Sequence, residues 1–223
     1  MKDLYIVHGW SASTTNWQKT IAALAKNHQI KAYLLHVPGL TTPDQKEYTI
    51  ADYVAWVAQN LPDEAVVLGH SNGGRILLNA IVSGKIHPRK LILLDSAGIY
   101  YRPLKARVSL FLSRLFGRFI GLKNPLRKLV RRVLRASDYN QASDEMKLTL
   151  ENMIESDRKL DSRKVNVPTT IIWGSADKTT PLWQGKKLAA SIPNATLEVV
   201  DGWEHSPYLK HPIELAEVIA EVI

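Results

Sequence analysis

Three short stretches of this chain carry side chains suited to nucleophilic chemistry. The first, Gly69-His70-Ser71-Asn72-Gly73-Gly74, sets a serine among glycines, directly after the apolar run Ala65-Val66-Val67-Leu68 and ahead of a helical pattern. A serine on such a strand-to-helix turn has its hydroxyl held away from the sheet, and its neighbours must be small because the backbone doubles back on itself. A serine hydroxyl is a poor nucleophile at neutral pH, so it needs a base, and the base needs a group that orients it and stabilises its cation. Both have candidates downstream. Gly174-Ser175-Ala176-Asp177-Lys178-Thr179-Thr180-Pro181 places an acid just past an apolar run ending at Trp173, and Asp201-Gly202-Trp203-Glu204-His205-Ser206-Pro207 places a histidine past the last such run. Ser71 as nucleophile, His205 as base and Asp177 as acid would together transfer an acyl group to water.

Plainer readings stand beside each. Ser71 could be a turn serine between flexible glycines, and Asp177 could cap the next helix, although Thr180 followed by Pro181 fits that N-cap better. Asp95, at the end of another apolar run, is the rival acid. Asp201 and Glu204 are nearer His205 in sequence, but a loop neighbour seldom reaches the far ring nitrogen. His28, His36, His87 and His211 have ordinary surface or helix-start explanations, and His70 reads as packing.

The elements that would position these residues alternate. Short β-type runs are read at Leu4–Val7, Ile30–Leu35, Ala65–Gly69, Lys90–Leu94, Thr169–Trp173 and Thr196–Val200. Amphipathic helices are read at Trp17–Lys26, Ile50–Gln59, Gly73–Ser83, Leu182–Ala190 and Pro212–Ile223. This is the pattern of a mostly parallel sheet of about six strands with helices on both faces. Loops at the carboxyl ends of such strands converge on one edge, where residues distant in sequence can meet.

The interval 99–165 breaks the alternation, holding helical periodicity and no convincing strand. It reads as a helical cap inserted into a core made of 1–98 and 166–223. Leu104, Val108, Phe111, Leu115 and Phe119 recur at spacings of three and four. A second helix is expected to begin at Asn124-Pro125, and a third to be capped by Ser143 and to run through Met146, Leu150 and Met153.

At this point the chain resembles the α/β-hydrolase family over nearly its whole length. It carries the family's His8-Gly9-Trp10 after the first strand, the elbow at Ser71, the Gly-x-x-Asp loop at Asp177 and the terminal His205, in the family's order. The resemblance implies an α/β-hydrolase fold with its first two strands absent, since Leu4 leaves no room for them. It also implies an oxyanion hole from the backbone N–H groups of Trp10 and Asn72, with His8 shaping the loop. Trp203 and Tyr208 are candidates for the substrate pocket, as is Trp10. The activity expected is that of a serine carboxylesterase working through an acyl-enzyme, without metal or organic cofactor. The alternatives are a carbon–carbon bond hydrolase or other acyl hydrolase on the same triad, or a noncatalytic binding protein on the same scaffold.

Composition narrows the class further. A chain of 223 residues, 45% of them hydrophobic, can bury one sizeable core. The absence of cysteine excludes disulfides, thiolate catalysis and thiolate metal sites. With no leader pattern before Leu4 and no apolar run near the ~20 residues of a membrane span, a cytoplasmic protein is expected. The net charge is +8, yet the stretch from Ser96 to Ser137 alone holds eleven Lys or Arg and no Asp or Glu, so subtracting those eleven leaves −3 on the rest. That basic segment is read first as a solvated face, then as a dock for an acidic carrier protein bearing an acyl group, or for an anionic lipid surface. Nucleic acid is not expected, because no reader motif accompanies the charge.

Overall fold

The computed structural model describes residues 2–10, 14–41, 46–101 and 143–223. Six strands form one sheet: β1 (Lys2–Val7), β2 (Ile30–Leu35), β3 (Val66–His70), β4 (Lys90–Leu94), β5 (Thr169–Gly174) and β6 (Thr196–Val200). They lie in the order β2-β1-β3-β4-β5-β6, and every neighbouring pair is parallel. The helices are α1 (Gln18–His28), α2 (Ile50–Asn60), α3 (Asn72–Val82), α4 (Asp144–Ser156), α5 (Trp183–Ser191), α6 (Pro207–Lys210) and α7 (Pro212–Glu221).

The central strands β3, β4 and β5 read as near-continuous apolar runs because both faces of the sheet are covered there. Leu4 and Ile6 of β1, Val66 and Leu68 of β3 and Ile92 of β4 pack in one layer with Leu24 of α1 and Leu215 and Ile219 of α7. The alternate residues, Val7, Val67, Leu91 and Leu93, pack in the other with Tyr53 and Val57 of α2, Ile76 and Leu77 of α3 and Leu188 of α5. The chain runs outward from β1 to β2, then returns past β1 to β3 and continues the other way. That reversal opens a crevice at the carboxyl ends of β1 and β3, where the His8-Gly9-Trp10 loop and Ser71 both sit.

Two helix starts are fixed by side chains. Thr49 Oγ1 accepts from Asp52 N (3.3 Å) while an Asp52 oxygen accepts from Thr49 N (2.8 Å), closing a capping box on α2. Ser143 Oγ accepts from Met146 N at 3.2 Å, as expected for the helix read there from the sequence. That helix, α4, buries Met146, Leu150, Met153 and Ile154. It is pinned ahead of α2 by the Tyr48 N–H donating to Thr149 Oγ1 (2.9 Å) and by Asn152 Nδ2 donating to Glu47 Oε1 (2.7 Å). The other two helices read in the insertion lie outside the described residues, as does most of the basic segment. At the chain's beginning, α1 is preceded by a 3-10 turn over Thr14–Trp17, so Trp17 closes that turn rather than opening the helix. Among the described residues, no helix is long and apolar enough to cross a membrane.

Candidate active site

Ser71 is the single residue between β3 and α3. Its backbone takes φ 52° and ψ −120°, a conformation that costs a non-glycine residue ~1–3 kcal/mol. The turn is held from three sides: Ser71 N donates to Leu94 O (3.2 Å), and Ser71 O accepts from Gly74 N (3.1 Å) and Ala97 N (3.0 Å). Space dictates the neighbours. A Cβ on Gly73 would fall 1.8 Å from the Val7 carbonyl oxygen, and one on Gly9 would fall 2.7 Å from the Ser71 Cβ. The loop after β1 therefore lies directly against the elbow.

Loops from the ends of β5 and β6 bring the other two groups. His205 Nε2 lies 3.0 Å from Ser71 Oγ, and His205 Nδ1 lies 2.8 Å from Asp177 Oδ2. With Nδ1–H donating to the carboxylate, Nε2 turns its lone pair to the serine hydroxyl. Asp177 Oδ1 accepts the N–H groups of Thr179 (2.6 Å) and Thr180 (2.9 Å), and Thr180 Oγ1 lies 2.7 Å from Oδ2. Burial by itself would raise the Asp177 pKa, but the hydrogen bond and charge of His205, together with the Thr180 contacts, outweigh it and hold the carboxyl below its ordinary range. The Thr180 hydroxyl is occupied in this way, and also lies 3.0 Å from the Asp95 carbonyl. It does not cap the next helix, which begins at Trp183 with Leu182 as its N-cap, one residue later than expected.

Asp95, the rival acid, is fully buried at the end of β4, where its Oδ1 accepts the Gly174 N–H at 2.9 Å. Burial, and after it the charge of Asp177, push its pKa well up, opposite to the shift at Asp177. Asp201 accepts from Ser175 Oγ (2.8 Å) and Glu204 pairs with Lys210 (2.7 Å). His70 Nε2 donates to the His205 carbonyl at 2.8 Å, steadying the loop that carries His205. Burial first, and then the nearby His205, lower the His70 pKa to about 3, so this imidazole stays neutral.

Asn72 opens α3, so its N–H has no acceptor within the helix and lies at the positive end of the helix dipole. Trp10 follows Gly9 in the loop packed on Ser71. His8 ties that loop down: its Nδ1 donates to Gly9 O (2.6 Å) and its Nε2 accepts from Val37 N (3.2 Å). Burial lowers its pKa, in keeping with a neutral, loop-shaping ring.

A family profile described as "Alpha/beta hydrolase family" matches residues 4–218. The chain belongs to the α/β-hydrolase family. It is similar, at 26% identity over 99% of its length and 98% of the relative's, to a pimeloyl-[acyl-carrier protein] methyl ester esterase from Aromatoleum aromaticum. An esterase of the same description from Pectobacterium atrosepticum is 24% identical over 97% of this chain and 92% of its own. Among solved structures, a lipase-esterase related protein from Clostridium acetobutylicum superposes with a TM-score of 0.71 at 17% identity, covering 100% of this chain and 94% of that one. At that identity the likeness speaks for the fold.

Within this α/β-hydrolase, a cavity of about 270 Å³ opens beside the Asp177 loop, lined by Arg75, Ala97, Ile99, Ile154, Thr180 and Trp183 among others. Trp203 and Tyr208, candidates for the substrate pocket, are not among the residues that line this cavity. Trp203 is 1% exposed with its Nε1 donating to Glu214 Oε2 (3.2 Å), and Tyr208 stacks on Trp17 with ring centroids 4.4 Å apart. Both join the layer shared with α1 and α7, where a large ring gains ~1.5–3 kcal/mol from burial. The cavity wall instead includes Arg75 and Asp157, a buried pair that sequence reasoning missed. Arg75 Nε and Nη2 each donate to an Asp157 oxygen at 2.7 Å, and Arg75 Nη1 donates to Asn72 Oδ1. The one available signal was an arginine standing beside the apolar run Ile76-Leu77-Leu78, a turn after Ser71.

Proposed function

We propose that this protein is a serine-dependent carboxylic ester hydrolase in which Ser71, His205 and Asp177 do the chemistry. The observation that carries the reading is the unbroken relay from Ser71 Oγ to His205 Nε2 at 3.0 Å and from His205 Nδ1 to Asp177 Oδ2 at 2.8 Å. Ser71 Oγ attacks the ester carbonyl carbon as its proton passes to His205 Nε2. The oxygen that becomes negative is met by the backbone N–H groups of Trp10 and Asn72. Collapse breaks the bond to the alcohol, which leaves with the proton held on His205. Water then attacks the acyl-enzyme, giving one proton to His205, and the acid departs as that proton returns to Ser71. Asp177 stays ionised throughout and stabilises the imidazolium.

The substrate is proposed to be an acyl ester carried on an acidic partner. Relatives of matching length act, by their names, on an ester of an acyl-carrier protein, and the eleven cations between Ser96 and Ser137 suit an acidic protein surface. An anionic lipid surface is the competing occupant. In this reading the 99–165 interval is a cap over a core of 1–98 and 166–223, and the protein works in the cytoplasm.

A fluorophosphonate probe and a short-chain chromogenic ester test the chemistry. Labelling and turnover are expected in the native protein, and both should vanish in Ser71→Ala. A native protein that takes no label would instead be a binding scaffold. Labelling without ester turnover, but with cleavage of a diketone, would move the reading to carbon–carbon bond hydrolysis.

A further inference from the structure

Arg75 and Asp157 are 4% and 5% exposed, and two charges taken so far out of water are stabilised by each other only at the cost of their own desolvation. Apolar residues of similar volume commonly hold a fold as well as such a pair, so stability alone is a weak reason for it. What apolar residues cannot do is point. The guanidinium is a planar fork. Two of its nitrogens are fixed on Asp157 at 2.7 Å each, and this aims the third at Asn72 Oδ1. Asn72 and Arg75 stand three apart on one face of α3, so the contact spans the helix's first turn. Asp157 follows the last residue of α4, a different part of the fold. The pair also lines the cavity beside the Asp177 loop.

We infer that Arg75 is a positioning residue: held by Asp157 at the end of α4, it fixes the Asn72 side chain and with it the first turn of α3, which aims the Asn72 N–H at the developing oxyanion. This rests on the ester-hydrolase reading above. A displacement of α4 would thereby be felt at the oxyanion donor without any movement of Ser71, His205 or Asp177.

The test compares wild type, Arg75→Lys and the apolar double variant Arg75→Met with Asp157→Leu. It measures kcat and KM on a small neutral ester, the inhibition constant of a boronic acid that forms a tetrahedral adduct on the serine, and thermal unfolding. Arg75→Lys keeps a cation opposite Asp157 but loses the fork. Either variant, once folded, is expected to hold KM within about threefold while kcat and boronate affinity fall together by about tenfold or more, the signature of lost transition-state alignment. A folded variant with wild-type kcat overturns the inference and leaves the ester-hydrolase reading intact. Failure of both variants to fold makes the pair structural and overturns it equally. A wild-type protein with neither turnover nor boronate binding removes the ester-hydrolase reading, and this inference falls with it.

Discussion

Two aspartates follow neighbouring strands of the sheet, and their surroundings shift their pKa values in opposite directions. Asp177 accepts two backbone N–H groups, a threonine hydroxyl and an imidazole N–H, and remains anionic. Asp95 is offered one backbone N–H at Oδ1, its Oδ2 has no partner, and it sits in the field of Asp177. On the proposed mechanism, Asp177→Asn should lower kcat on a neutral ester by ~10³- to 10⁴-fold, because an amide can neither hold the Nδ1–H tautomer nor stabilise the imidazolium. Asp95→Asn keeps the shape of the side chain, retains an acceptor for Gly174 N–H, makes no contact with His205, and should change kcat less than about threefold. Steady-state kinetics on the two variants checks both outcomes, and the opposite ranking would reassign the acid.

At the scale of elements, the strand-turn-helix unit β3-Ser71-α3 is built on contacts that no rotamer can relieve. The atom a methyl on Gly73 would strike is the backbone oxygen of Val7 in the adjacent strand, 1.8 Å away. Gly73→Ala should therefore cost roughly 4 kcal/mol or more and abolish labelling of Ser71. Thr49→Ala offers a contrast within the same fold, since it removes one side of the α2 capping box and leaves the backbone path open. It should cost about 1 kcal/mol, a fall in Tm of ~2–4 °C, with labelling preserved. Thermal unfolding and fluorophosphonate labelling of both proteins separate a breach of the elbow from an ordinary loss of helix stability.

At the scale of the whole molecule, charge is distributed far from evenly. Along the sequence, the stretch between Ser96 and Ser137 carries eleven cations and no acidic residue while the rest of the chain stands at −3, and on the proposed function it is what an acidic partner would meet. Arg127→Glu combined with Arg131→Glu should raise KM for an acyl group presented on an acidic carrier protein while leaving a small neutral ester unaffected. Added salt should weaken only the carrier reaction of the wild type, since charges more than ~8–10 Å apart are screened at physiological ionic strength. Equal effects on both substrates would remove the docking role.

The alternation of apolar runs with helical periodicity located every strand and nearly every helix in the described residues to within a residue or two, because those patterns depend on neighbours near in sequence. The motif order was legible for the same reason: each motif is a local turn, from His8-Gly9 to the loop holding His205. What depended on chain packing was not legible. Arg75 meets Asp157 across 82 positions, a pairing no local pattern announces. Thr180, fit to cap a helix, has its hydroxyl drawn to Asp177. Trp203 and Tyr208, suited by type to a pocket, pack in the α1/α7 layer, where burial of a large ring is favourable. Residue types and their order set out which groups were available to react. Only the convergence of three strand ends decided that Asp177, and not Asp95, lies against His205, because hydrogen-bond reach is settled by the path of the folded backbone.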